Sequence, residues 1–107
     1  MDNKSLTIDE LTEQMHALVK SKGWYEADSK RPQTSRNLAV SLSIEPAEIL
    51  EHFQFTDEIK DREELGSELA DVMLYLLQLA SVSGIDLEDA VLKKIEKNKT
   101  RQWDVEK

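Results

Sequence analysis

The sequence contains no cysteine, which removes disulfides, thiolate metal sites and thiol nucleophiles at one stroke. Its three glycines, Gly23, Gly66 and Gly84, lie far apart, so a glycine-rich phosphate cradle is excluded. Proline is limited to Pro32 and Pro46, and alternating apolar and polar segments are absent, which leaves no strand pattern and points to helices joined by short turns. No apolar run approaches the roughly 20 residues of a membrane span. The opening Met1-Asp2-Asn3-Lys4-Ser5 lacks the hydrophobic segment of a signal peptide. A cytoplasmic protein with no membrane partner is therefore expected.

Positive charge is also scarce. Twenty-two acidic residues against 14 Lys and Arg give a net charge of −8, which argues against the sequence-independent phosphate contacts of nucleic-acid binding. It leaves room for a small phosphorylated ligand, because acids can hold a divalent cation and the cation can hold phosphate. The bases are local: Lys30, Arg31 and Arg36 in one group, Lys93, Lys94, Lys97, Lys99 and Arg101 in another. A length of 107 residues fits one domain spanning 1–107, and a domain of this size buries only about two-thirds of its unfolded surface. Long helices here would keep apolar faces in need of cover, so self-association is expected.

What the chain does have is two pairs of carboxylates three residues apart, Glu45 with Glu48 and Glu68 with Asp71. Residues so spaced share one helix face, and two such helices side by side would turn four acids into one small volume. Spacing alone is weak, since about four such pairs arise by chance at this acid content. The surroundings say more. Between Leu69 and Ala80 only Asp71 and Gln78 are clearly polar; a helix apolar nearly all round is normally buried, and a buried acid needs partners. The bland alternative, four solvated acids or acids paired with nearby Lys and Arg, stands beside this one.

In chain order, Thr7 and Glu10 make a capping-box pattern that opens a helix with Ile8, Leu11, Met15, Leu18 and Val19 on its apolar side, stopped at Gly23. Trp24 follows, then a polar loop whose Lys30-Arg31-Pro32 are candidate ligand contacts. A second helix is expected from Ser35 to Phe55, with Ser41, Glu45, Glu48, His52 and Phe55 on one strip, and with a bend or a restart at Pro46. A third begins at Asp61 or Arg62, carries Glu68, Asp71, Tyr75 and Gln78 on one strip, and ends near Gly84. Asp86 and Asp89 open a last helix whose Leu87, Ala90, Val91 and Ile95 should face inward. The fold class is all-α, a bundle of four to five helices.

Carboxylates are oxygen donors for hard cations, Mg2+ first and Mn2+ as a substitute. Four in one place can hold more than one ion, or one ion with a carboxylate left as base, which points to chemistry on a di- or triphosphate. A di-iron bundle would need two Glu-x-x-His pairs. Only Glu13 and His16 have that spacing, and both histidines read as partly buried helix residues.

The segment Glu45-Pro-Ala-Glu48-Ile-Leu-Glu51-His-Phe-Gln-Phe55, followed by Glu68-Leu-Ala-Asp71-Val-Met-Leu-Tyr75-Leu, resembles the MazG-like all-α nucleoside triphosphate pyrophosphohydrolases, in particular their small dCTP pyrophosphatase branch. Trp24, Arg36-Asn37-Leu38, and Lys94-x-x-x-Asn98 with Arg101 extend the resemblance over roughly Leu11 to Trp103. It implies hydrolysis of a nucleoside triphosphate, dCTP-like, to the monophosphate and pyrophosphate, in a bundle completed by oligomerisation as a homodimer or a tetramer of paired dimers. By the same resemblance Glu45, Glu48, Glu68 and Asp71 bind Mg2+, and Glu45 or Glu48 positions or deprotonates the water that attacks the α-phosphorus. Trp24, Phe55, Tyr75 and Asn98 would contact base and sugar, and Arg36, Lys94 and Arg101 the phosphates. Pro46 and Phe55 depart from the pattern, standing where the family usually carries a small or aliphatic helix former and often tryptophan. A non-catalytic helical oligomerisation or adaptor module, and a hydrolase of phosphoribosyl pyrophosphates, are the other readings.

Overall fold

A computed structural model describes residues 5–102 of the chain; Trp103 lies outside them. The described residues form four helices and no strand: α1 (Ile8–Ser21), α2 (Ser35–Glu51), α3 (Arg62–Val82) and α4 (Leu87–Thr100). Each start is set by one polar side chain. Thr7 Oγ1 accepts from Glu10 N at 3.0 Å while Thr7 N donates to Glu10 Oε1 at 2.8 Å, the full capping box. Thr34, Asp61 and Asp86 cap α2, α3 and α4 by accepting from the backbone three residues on.

The ends of α1 and α3 share one device. Gly23 and Gly84 adopt φ of +74° and +72°, a left-handed conformation that favours glycine. Trp24 N then donates to Val19 O at 3.2 Å and Gly23 N to Lys20 O at 3.0 Å; Ile85 N donates to Ala80 O at 2.8 Å and Gly84 N to Ser81 O at 3.1 Å. These paired bonds reverse the chain within two residues. At the end of α1 the reversal folds Trp24 back against Met15, Val19 and Leu77, the centre of the core.

Helix α3 is the axis. It packs most extensively on α2 and next on α1, and touches α4 lightly. Ser35 Oγ meets Ser83 Oγ at 2.8 Å near one end of the α2/α3 pair, and His52 Nε2 meets Glu68 Oε1 at 2.7 Å near the other, so the two helices run antiparallel. The same packing brings Glu68 and Asp71 of α3 near enough to act on Glu45 of α2.

Several expectations change. The second helix ends at Glu51, because His52 and Phe53 donate to Ile49 O and Leu50 O three residues back and the chain turns away. It runs unbroken through Pro46, which removes the restart and makes the count four. Leu18 is exposed although it shares the α1 apolar stripe. Ala90, Val91 and Ile95 of α4 are exposed too, and no residue of α4 is buried, since α4 stands off from the other helices. By length and composition α3, at 21 residues, would suffice to cross a membrane, contrary to the sequence estimate. Glu68 and Asp71 in its middle would each cost a few kcal/mol there, and α3 instead packs between α1 and α2. The radius of gyration is 16.9 Å, against about 13 Å for a compact chain of 100 residues.

The core is small enough that single side chains matter. Leu77, 2% exposed, should cost about 2–5 kcal/mol on truncation to alanine. Gly84→Ala meets nothing within 4 Å, so its cost is backbone strain alone, about 1–2 kcal/mol. Urea unfolding should rank Leu77→Ala below Gly84→Ala and both below wild type; the reverse ranking would contradict this account of the core.

Candidate active site

The antiparallel register gathers the four acids picked out by spacing. Glu45 is half-buried, its Oε1 is buried without a hydrogen-bond partner, and its carboxyl is pushed above the usual range by burial first, then by the negative charges of Glu48, Asp71 and Glu68. Each of the other three candidates thus acts on Glu45. Asp71, expected in a buried setting, is exposed at the rim of a cavity between α1 and α3, because α1 and α2 leave part of α3 uncovered.

The acids are gathered but not closed. Among the described residues no three histidine, aspartate or glutamate side chains form a ready metal cage. Glu68 has a partner of its own: His52 Nε2 donates to its Oε1 at 2.7 Å, both side chains being largely covered. Glu48, Glu51, His52, Glu64 and Glu68 line a shallow acidic cleft there. Spacing alone could have found its extra members, since Glu51 and His52 lie three and four residues after Glu48, and Glu64 four before Glu68. The orphaned oxygen of Glu45 and the crowding around it suit a divalent oxygen-seeking cation.

One helical turn away, at Ser41 on α2 and Tyr75 on α3, a cavity of about 260 Å³ opens. Trp24, Tyr75, Asn37, Gln33 and Gln78 line it, with Lys30 and Arg31 from the loop between α1 and α2. The Arg31 guanidinium sits 5.2 Å from the Trp24 ring centroid, within cation–π range. Tyr75 and Trp24, chosen from the sequence, line the same cavity. Gln33 and Tyr25 were not singled out; their signal is spatial, because both hydrogen-bond to the buried Gln78. Burial pushes the Tyr25 hydroxyl above its ordinary value, against the pull of the Gln78 donor, so it keeps its proton at neutral pH.

The remaining candidates stand elsewhere in the isolated chain. Phe55 is 95% exposed in the turn after α2. Arg36 is exposed in the first turn of α2 beside Asn37. Lys94 and Asn98 lie on α4 and Arg101 just after its end, all three outside the lining of the cavity. Asn98 is half-buried, with Oδ1 buried and unpartnered.

A model of the MazG-like family matches residues 40–107, which include all four acids. dCTP pyrophosphatase 1 of Mus musculus is 34% identical over 85 residues, 71% of this chain and 50% of that protein. The human dCTP pyrophosphatase 1 is similar at the same identity and coverage. The chain spans about half the length of the curated relatives it matches. The crystal structure of a pyrophosphatase from Archaeoglobus fulgidus superposes with a TM-score of 0.75 at 35% identity, covering 95% of this chain and 99% of the other.

The crowding around Glu45 has a sign that can be checked. Its carboxyl binds a proton more strongly in the folded chain than in the unfolded one. Without metal, stability should therefore fall as pH rises from about 4.3, the unfolded value, through the raised folded value. Glu45→Gln should melt higher than wild type at pH 7 in chelator, the gap should shrink below about pH 4, and added Mg2+ should favour wild type. A wild type that melts higher in chelator would contradict the repulsion.

Proposed function

Because the chain belongs to the MazG-like family, we propose that it hydrolyses a nucleoside triphosphate, dCTP-like by preference, to the monophosphate and pyrophosphate with the help of Mg2+. The observation that carries this is the placement of Glu45, under the charge of Glu48, Asp71 and Glu68, one turn from an aromatic cavity lined also by Lys30 and Arg31. Four residues along each helix is about 6 Å, which lets a nucleotide set its base between Trp24 and Tyr75 while its phosphates reach the acids. Relatives named dCTP pyrophosphatase support the nucleotide class.

Glu45, Glu48, Glu68 and Asp71 would hold the cation, with Mn2+ as a substitute. When bound, such an ion supplies positive charge to the polyphosphate and lowers the pKa of a coordinated water. The chain's own part is to fix the nucleotide and to take a proton. Glu48 or Glu45 accepts it from the water that attacks the α-phosphorus, and the elevated proton affinity of Glu45 suits such a role. Arg31 and Lys30 in the cavity lining, and Arg36 in the neighbouring turn, offer charge to the phosphates.

Self-association belongs to the same proposal. Val40, Ile44, Leu50, Leu69, Leu92 and Ile95 are exposed, more apolar surface than a monomer of this size normally shows. A second copy would cover it and could bring Lys94, Asn98, Arg101 and Phe55 to a shared site. Light scattering should give at least twice the 12.3 kDa chain mass; a monomer at micromolar concentration would remove this part.

The competing reading is a helical oligomerisation module without chemistry, for which the exposed apolar side chains of α2, α3 and α4 would be the contact face. Release of pyrophosphate across all dNTPs and NTPs, with and without Mg2+, separates the two. Turnover should need the ion, and Glu48→Gln or Asp71→Asn should lower kcat by about 10²-fold or more. A folded Glu48→Gln/Asp71→Asn variant that turns over like wild type would refute the enzymatic reading.

A further inference from the structure

Gln78 is 4% exposed in the middle of α3, and its amide is held by a polar relay whose direction can be assigned. The relay starts at a group that can only accept. Gln33 Nε2 donates to the backbone carbonyl of Arg31, so the other end of that amide, Gln33 Oε1, faces Gln78. Gln78 Nε2 must then be the donor, at 2.7 Å, and its second proton goes to the Tyr25 hydroxyl oxygen at 3.3 Å. The Tyr25 hydroxyl, already accepting, also meets His16 Nδ1 at 2.6 Å. The other ring nitrogen, His16 Nε2, meets Ser81 Oγ at 2.7 Å. One backbone carbonyl thus sets the orientation of two amides, Gln33 and Gln78.

The consequence lies at the far end of Gln78. Both Nε2 protons are spent within the relay, so the amide cannot flip without breaking two bonds. Its Oε1 takes no part in the relay, and Gln78 lines the cavity beside Tyr75 and Trp24. A fixed acceptor therefore stands at the wall of an aromatic cleft. The cleft, at about 260 Å³, is at the small end for ligand sites and suits a single-ring base.

We propose that Gln78 is a specificity-determining residue whose locked Oε1 accepts from the exocyclic amine of a cytosine-type base and rejects the 4-keto group of a uracil-type base. This deepens the nucleotide reading above and rests on it. An acceptor facing a carbonyl leaves two buried lone-pair groups opposed, and a site built around one hydrogen bond discriminates strongly against a ligand that cannot make it. The remainder of the relay acts by positioning: Gln33 holds the amide in its one useful orientation.

dCTP and dUTP differ at this position, so their kcat/KM ratio is the test, paired with calorimetric binding of dCMP and dUMP in chelator, which needs no turnover. Wild type should prefer the cytosine partner by about tenfold or more in both measurements. Gln78→Met, which removes the acceptor with little change of volume, should bring both ratios to within about twofold of unity. Gln33→Met should give an intermediate ratio, because it leaves the Gln78 amide free to turn over. A wild-type ratio near one, or a ratio unchanged in folded Gln78→Met, overturns the proposal. If Gln78→Met does not fold, Gln33→Met decides, and an unchanged ratio there overturns it. Loss of all triphosphate turnover in wild type, with the monophosphate preference intact and sensitive to Gln78, would sink the enzymatic reading and leave this inference standing; binding of neither monophosphate overturns it.

Discussion

The structure depends on an unfavourable contact. Antiparallel packing of α2 on α3 sets four carboxylates from two helices within range of one another, and Glu45, with an oxygen buried and unpartnered, carries the cost. A fold seldom keeps such crowding without a counter-charge, because separating the acids by a one-residue change of spacing would relieve it. The expected resolution is a cation drawn into the gap. Glu68 is meanwhile held by His52 at 2.7 Å, which orients one of the four carboxylates.

The rest of the chain holds this pair of helices in place and supplies a second compartment beside it. Glycine reversals at Gly23 and Gly84 let α1 and α3 end abruptly; the first folds Trp24 onto the core and so builds one wall of the cavity. The loop that follows returns Arg31 over that ring and ties its own carbonyl, through Gln33, to Gln78. Base-sized space and cation-seeking charge are thereby one helical turn apart on the same two helices, the distance that lets one ligand engage both.

Much of this was legible in the sequence. Caps at Thr7, Asp61 and Asp86, stops at Gly23 and Gly84, and the two acid pairs are local signals, and the helices that carry them follow. The acids' convergence was legible too, once their helices were taken as neighbours. What escaped was set by packing across the chain. The end of α2 at Glu51 rather than Phe55 has no glycine or proline to mark it. The polar relay joins residues as distant as Arg31 and Ser81, with no spacing to announce it. The exposure of Asp71, Val91 and Ile95 is a property of how little of α3 and α4 one copy covers, which apolar periodicity alone cannot weigh.

The central claim is that Glu45, Glu48, Glu68 and Asp71 share a cation. Titration of Mn2+ into the full chain, followed by electron paramagnetic resonance of the free ion, tests it directly. The account predicts saturable binding that weakens about tenfold or more when any one of the four is changed to its amide, and that is indifferent to the same change at the exposed Glu13 or Glu96. Equal effects at all six positions, or no saturable binding, would contradict it.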